Sequence, residues 1–259
     1  MRVILHADDF GFDKDTTNAT IELLEKGILT SASIMVNMPA SDMAISYAKA
    51  HSEKSWGVHL TFVDGLQPCI PSHQIPTLVN KDGVFHESDV VRKRALFCNI
   101  SKKDIVKESI AQISRLREVG IHVSHLDSHG HLHKFPSFLF AMKRIADESG
   151  IRRIRRVQNV FINSPHFYSP VNIVNKCLDN CIVSNFRTTD YFYMSANAMD
   201  THWAKSIYGR MNALPDNKVI EIGVHPGYFE EWRKQELIDL SELYQLIGQQ
   251  HEIINWNFV

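Results

Sequence analysis

An α/β fold, with about seven parallel strands curled into an irregular (β/α) barrel, is the architecture this sequence predicts. Three observations carry that expectation. Apolar runs rich in β-branched residues recur along the chain, as in Val3-Ile4-Leu5 and Val219-Ile220-Glu221-Ile222, and such runs read as strands buried on both faces. Stretches of helical period separate them, the alternation that builds βα units around a parallel sheet. Several of the runs also end in His or Asp: His6-Ala7-Asp8-Asp9, Gly57-Val58-His59, Ser124-His125-Leu126-Asp127-Ser128-His129 and Val224-His225. Parallel strands all point one way, so their exit loops converge on one rim, where ligands bind in such folds.

In chain order, the first strand ends at Asp8-Asp9-Phe10-Gly11, and Thr16 to Lys26 reads as a helix closed by Gly27. Ser31 to Asn37 is the second strand, Ser41 to Ala50 the second helix, and the third strand ends at His59. From 64 to 101 the periodicity loosens around Pro68, Pro71 and Pro76, which predicts an excursion over one rim of an otherwise single domain spanning 1–259. Lys103 to Val119 is helical and stops at Gly120, and the fourth strand then carries the His cluster. Pro136 to Ser149 is a helix with Pro at its start and Gly150 past its end. Ile151 to Val157 is expected as strand five and Ser169 to Cys181 as a helix. Phe186 to Met194 is an aromatic strand or loop. A strand ending at His225 and an amphipathic helix from Lys234 to His251 complete the chain.

Composition bounds the function classes. The chain has 259 residues, a formal net charge of −1 and a pI near 6.9, so no global field draws it to nucleic acid or an anionic membrane. Neither partner is expected. Cys69, Cys98, Cys177 and Cys181 are too few and too irregular for a disulfide framework and read as packed thiols. With no signal-peptide pattern at the start and no membrane-spanning run, a cytoplasmic location is expected.

The chemistry concentrates where polar residues close the strands. A strand through the fourth run aims His125, Asp127 and His129 to one side, a row of nitrogen and oxygen donors suited to a divalent metal. A solvated His-rich loop is the competing reading. Asp8 and Asp9 are adjacent carboxylates that reach one pocket only where the strand bends, one as ligand and one as base; a helix or turn cap is the alternative. Tyr191 and Tyr228 stand near predicted strand ends as candidate faces for a sugar ring, and Arg155 as a candidate substrate contact.

Taken together, Ala7-Asp8-Asp9-Phe10-Gly11, Thr30-Ser31, Gly57-Val58-His59-Leu60, His125-Leu126-Asp127-Ser128-His129 followed by His131, His133 and Pro136, and Val224-His225-Pro226-Gly227 resemble the YdjC-like carbohydrate deacetylases, the group that includes chitooligosaccharide deacetylases. The resemblance covers nearly the whole chain and implies a polysaccharide-deacetylase-like barrel. It implies Asp9, His59 and His129 as ligands of one divalent metal, Zn or Mg first, with Co, Ni or Mn also suited. It further implies Asp8 as general base and His225 as general acid in removal of acetyl groups from N-acetylated sugars or oligosaccharides, in an enzyme that pairs as a homodimer. His125 and Asp127 are expected to orient the ligands. Gly130 departs from the pattern, since many members carry His there.

Two other readings use the same residues. Two His and one carboxylate also form the facial triad of non-heme iron oxygenases, and a degenerate barrel could serve as a non-catalytic sugar-binding module. A phosphoesterase is weaker, because no Gly-rich phosphate cradle appears.

Overall fold

The computed structural model describes residues 1–64, 66–162, 170–195, 202–248 and 250–259. Its centre is a parallel sheet built from β1 (Arg2–Phe10), β2 (Ser31–Ile34), β3 (Ser55–Leu60), β4 (Val123–Ser128), β5 (Tyr191–Met194), β6 (Val219–Val224) and β7 (Glu252–Ile253). Six strands follow the order β4-β3-β2-β1-β6-β5, and β7 pairs with the start of β1. Around the sheet lie α1 (Lys14–Glu25), α2 (Ser41–Ala50), α3 (Ser88–Leu96), α4 (Lys102–Glu118), α5 (Pro136–Ser149), α6 (Pro170–Asn185), α7 (Trp203–Asn212) and α8 (Glu231–Ile247).

Local chemistry explains the boundaries. Asp13 caps α1 by accepting from the Thr16 N–H at 2.8 Å, and Gly27 follows it at φ 69°, the left-handed turn that glycine takes without strain. Pro136 opens α5 where its missing N–H is harmless, and Gly150 closes it at φ 73°. The segment at 64–101 contains a 3-10 turn, Ser72–Gln74, and α3.

The expected strand at Ile151–Val157 does not form a ladder. Among the described residues only single bridges join Leu126 to Ile154 and Arg153 to Arg187. The reason lies in the next residues: the N–H groups of Asn159 and Val160 both turn to the Phe192 carbonyl, and the Arg156 side chain binds Asp179 and the carbonyls of Thr189 and Asp190. The chain is drawn away from β4 toward β5, and this irregular segment stands between the two edge strands. Ser169, the expected start of the following helix, lies outside the described residues. The four thiols are unpaired, but Cys98, Cys177 and Cys181 are exposed rather than packed.

Both faces of the sheet are buried, with opposite chemistry. Val3, Leu5 and Ala7 on β1, Trp56 and Val58 on β3, and Ile220, Ile222 and Val224 on β6 belong to one continuous apolar core. The alternate residues line the interior: His6, Asp8, Ser31, Ser33, His59, His125, Asp127 and Glu221, none more than 2% exposed. Period-two alternation thus separates a fatty layer from an ionic one. Trp256 plugs the floor, its ring stacked on His125 at 4.5 Å and 10°.

Gly57 makes room for that stack. A Cβ there would sit 2.5 Å from His125 Nε2, closer than atoms approach, and neither ring can retreat past the other. Gly57→Ala is expected to destabilise the fold by about 1–3 kcal/mol through overpacking. Denaturant midpoints of the two proteins check it.

Candidate active site

Asp8 and Asp9 reach the same pocket because β1 is bulged. Ala7 pairs with Ala32 and Phe10 with Ile34, so three steps on β1 face two on β2. The extra residue is absorbed at Asp9, whose φ of 59° is left-handed. A non-glycine residue held there costs on the order of 1–3 kcal/mol, a strain that surrounding structure must maintain. Gly11 completes the turn at φ 104°, where a Cβ would strike the Met35 carbonyl at 2.8 Å.

From neighbouring strand ends come the imidazoles. His59 leaves β3 opposite Asp127, and its Nδ1 lies 2.9 Å from Asp127 Oδ1 and 3.0 Å from Ser33 Oγ. That leaves Nε2 toward Asp9 Oδ1, at 3.4 Å. His129, the first residue beyond β4, brings Nδ1 to 2.9 Å from the same oxygen. Its Nε2 lies 3.7 Å from Asp64 Oδ2, at the start of the 64–101 segment. His225 follows β6, where Ala7 pairs with Val224, so it stands beside Asp8. Its N–H donates to Glu236 Oε2 at 2.7 Å.

Three overlapping sets of donors could hold a metal among the described residues. Asp9, His59 and His129 bring one atom each within 4.8 Å of one another. The other two sets share Asp127, whose Oδ2 already lies 2.9 Å from Arg155 Nη1, so a guanidinium occupies the place of a cation. The set of Asp9, His59 and His129 is clear of Arg155 and open to solvent through the His129 side chain at 25% exposure; Arg233 meets Asp9 only through the other oxygen, Oδ2, at 3.2 Å.

The protonation pattern agrees. Burial pushes Asp9 upward, but His129 and His59 outweigh it and hold the carboxyl well below its usual range. Burial works against charge on His59 as well, yet Asp127, Asp8 and Asp9 raise it to about 10. His129 rises to about 9 against burial, chiefly through Asp9 and Asp64. Two protons thus gather where a divalent cation would sit. Deeper residues behave oppositely: burial drives His6 and His133 down to about 3 and His125 well below its normal value.

Three expectations need correction. Arg155 is fully buried and cannot meet a sugar: its Nη1 lies 2.7 Å from Asp8 Oδ2, while Nη2 and Nε reach Glu221 Oε1 at 2.7 and 3.0 Å. A buried guanidinium needs carboxylates around it, and the barrel interior supplies three. Tyr191 pairs with Ile220 at the start of β6, on the rim opposite the site, because β5 begins with it. His125 does not reach the donor triad; it lies four residues before His129, inside β4, with Nδ1 on Ser124 Oγ at 2.8 Å and its ring on Trp256. Tyr228 does stand on the correct rim, half-exposed, its hydroxyl donating to Glu22.

Other polar residues joined the site without a sequence signal strong enough to find them. His6 lies 3.6 Å from both Asp8 Oδ1 and Asp127 Oδ2; its two-residue spacing from Asp8 could have flagged it. Glu221 lies four residues before His225, on the same side of an extended strand. Arg233 and Glu236 come from α8, and nothing in their helix marks them.

The model of the family described as YdjC-like protein matches residues 2–253. A carbohydrate deacetylase of Geobacillus stearothermophilus is 33% identical over 172 residues, covering 64% of this chain and 66% of the relative. That of Brevibacillus brevis is 27% identical over 96% of both chains. A crystal structure from Enterococcus faecalis, described provisionally as a cellobiose-phosphate cleavage protein, superposes with a TM-score of 0.80 at 21% identity, over 99% of this chain and 98% of the other; it shares the fold. A family match over nearly every residue, on a parallel curled sheet with these strand-end motifs, means that this chain belongs to the YdjC-like family.

Proposed function

We propose that this protein is a metal-dependent hydrolase that removes acetyl groups from N-acetylated sugars or short chitooligosaccharide-type substrates. One observation carries the reading: Asp8 Oδ1 is buried and has no hydrogen-bond partner among the described residues, beside a donor triad fit for a cation. A buried carboxylate oxygen without a partner is costly unless a ligand proton comes to it. The deacetylase names of the relatives point the same way.

Asp9, His59 and His129 would hold the ion, and the donor set suits zinc, cobalt, nickel or manganese, with magnesium tolerated. When bound, such an ion polarises a carbonyl and lowers the pKa of water. Asp127 keeps His59 in the tautomer that offers Nε2. Arg155 grips Asp8 Oδ2, which leaves Oδ1 to accept the proton of the attacking water. His225 is positioned as the acid for the departing amine. Burial lowers its pKa, but the carboxylates of Glu236, Asp9 and Asp8 outweigh burial and the net direction is up, so the imidazolium is available to donate. Acetate and the free amino sugar are the products.

Acetate release from N-acetylated chitooligosaccharides under nitrogen tests the proposal. Release without oxygen is expected; a requirement for oxygen and a reductant would replace it with the oxygenase reading. Pairing as a homodimer and a cytoplasmic location belong to the same proposal, the first checked by light scattering. Among the described residues no helix is long and apolar enough to cross a membrane.

Metal uptake should displace protons. At pH 7.5 His59 and His129, raised to about 10 and about 9, both carry one. Binding is expected to release roughly two protons per ion, and apparent affinity to rise with pH, steeply up to about 9 and less steeply up to about 10, where His59 loses its proton. Calorimetry in buffers of differing ionisation enthalpy measures the release directly.

A further inference from the structure

We propose that Arg233 contacts the substrate: its Nη2 holds the outer oxygen of Asp9, and its Nη1 donates to the acetamide carbonyl oxygen of the bound sugar. The inference rests on the deacetylase reading above. Arg233 is the third residue of α8, and its side chain is only 7% exposed. Its Nε donates to Glu230 Oε2 at 2.7 Å and its Nη2 to Asp9 Oδ2 at 3.2 Å. Nη1 is buried and has no hydrogen-bond partner among the described residues. A buried guanidinium rarely leaves donors unused. Something with an oxygen is expected there.

The location says what. Arg233 Cζ lies 4.4 Å from the ring centre of Trp232 and 6.0 Å from that of Phe12. Trp232 packs edge-on against His225 at 5.5 Å, and Phe12 stacks on His129 at 6.4 Å. Those two imidazoles are the site groups that solvent reaches, with side chains 16% and 25% exposed, against 2–3% for His59 and Asp9. Arg233 is therefore bracketed by the aromatic neighbours of both, on the open side of the triad. An acetamide oxygen seated between His129 and His225 is the acceptor left to Nη1, which is buried and unpartnered among the described residues.

Two further details show that the placement is built. A Cβ on Gly227 would come 2.6 Å from Arg233 Cδ, so the glycine after His225-Pro226 lets the arginine pass. Asp9 Oδ2 is occupied by Nη2 while Oδ1 faces His59 and His129, so the carboxylate offers a cation one oxygen. A rigid cationic donor aimed at an oxygen that gains charge in the transition state acts as an oxyanion stabiliser.

The test uses the full chain loaded with zinc, as wild type, Arg233→Met and Arg233→Lys. Zinc uptake is measured by calorimetry, together with kcat and inhibition by acetate, the product whose carboxylate presents the same oxygen chemistry. Zinc binding is expected to persist in both variants. In Arg233→Met, kcat should fall about 10²–10³-fold, the usual loss for one such donor, and the acetate inhibition constant should rise about tenfold or more. Arg233→Lys, which keeps the charge beside Asp9 but lacks the planar fork, should fall between, and carries the test alone if the methionine variant does not fold. Acetate inhibition unchanged in the variants would overturn the proposal. So would a loss of kcat that merely tracks lost zinc, since Arg233 would then act through Asp9 alone. Wild-type protein that binds zinc but releases no acetate refutes the deacetylase reading instead, and does so without any variant.

Discussion

Asp8→Asn lowers kcat by about 10²–10⁴-fold, the range expected when a positioned general base is removed, while zinc content and melting temperature stay near those of wild type. The asparagine retains an oxygen for Arg155 Nη1, which lies 2.7 Å from Asp8 Oδ2, so the barrel interior keeps its shape. What it loses is the acceptor for a proton. Acetate release and elemental analysis on the same preparation separate the two effects. Turnover surviving in Asp8→Asn would remove this carboxylate from the mechanism and leave the triad to find another base.

A larger effect is expected from Asp9→Ala, which should abolish metal uptake and with it all turnover at any added metal concentration. Asp9 Oδ1 is the atom on which His59 and His129 converge, at 3.4 and 2.9 Å. Two imidazoles without the carboxylate make a poor site for a hard divalent ion. The variant has a second signature. Asp9 is the leading influence holding His129 up at about 9, so the His129 pKa should fall in the metal-free variant. Histidine NMR titration reads that shift whether or not the protein is active. A variant that still binds zinc with wild-type affinity would show that the ion sits elsewhere.

The two predictions also separate the pair of adjacent carboxylates. Side chains of neighbouring strand residues ordinarily face opposite ways. Here the bulge and the left-handed Asp9 turn them into one pocket.

Much of the fold was legible in the residues. The α5 boundaries at Pro136 and Ser149 and those of α2 at Ser41 and Ala50 match the sequence reading, because proline, glycine and apolar period act over a few residues. The strand at 151–157 was misread for the opposite reason. Ile151, Ile154 and Val157 have the composition of a strand, but whether a ladder forms depends on what lies alongside, and here Phe192 and Asp179 pull the chain away. Arg155 reads as a substrate contact because it stands near a predicted strand end. Its burial follows from three carboxylates on β1, β4 and β6 that only folding brings together.

The sequence by itself determined the parallel α/β plan and the strand ends where polar residues collect, both local matters written in periodicity; Asp8, Asp9, His59, His129 and His225 stood out as candidates through the family resemblance that the short motifs carry. Only the tertiary structure decided that Asp9 bends out of strand geometry, that Arg155 is an internal counter-ion, that Tyr191 lies at the far rim, and that Arg233 from α8 reaches Asp9. Distances between residues more than two hundred positions apart are set by how layers pack, and no short stretch of chain encodes them.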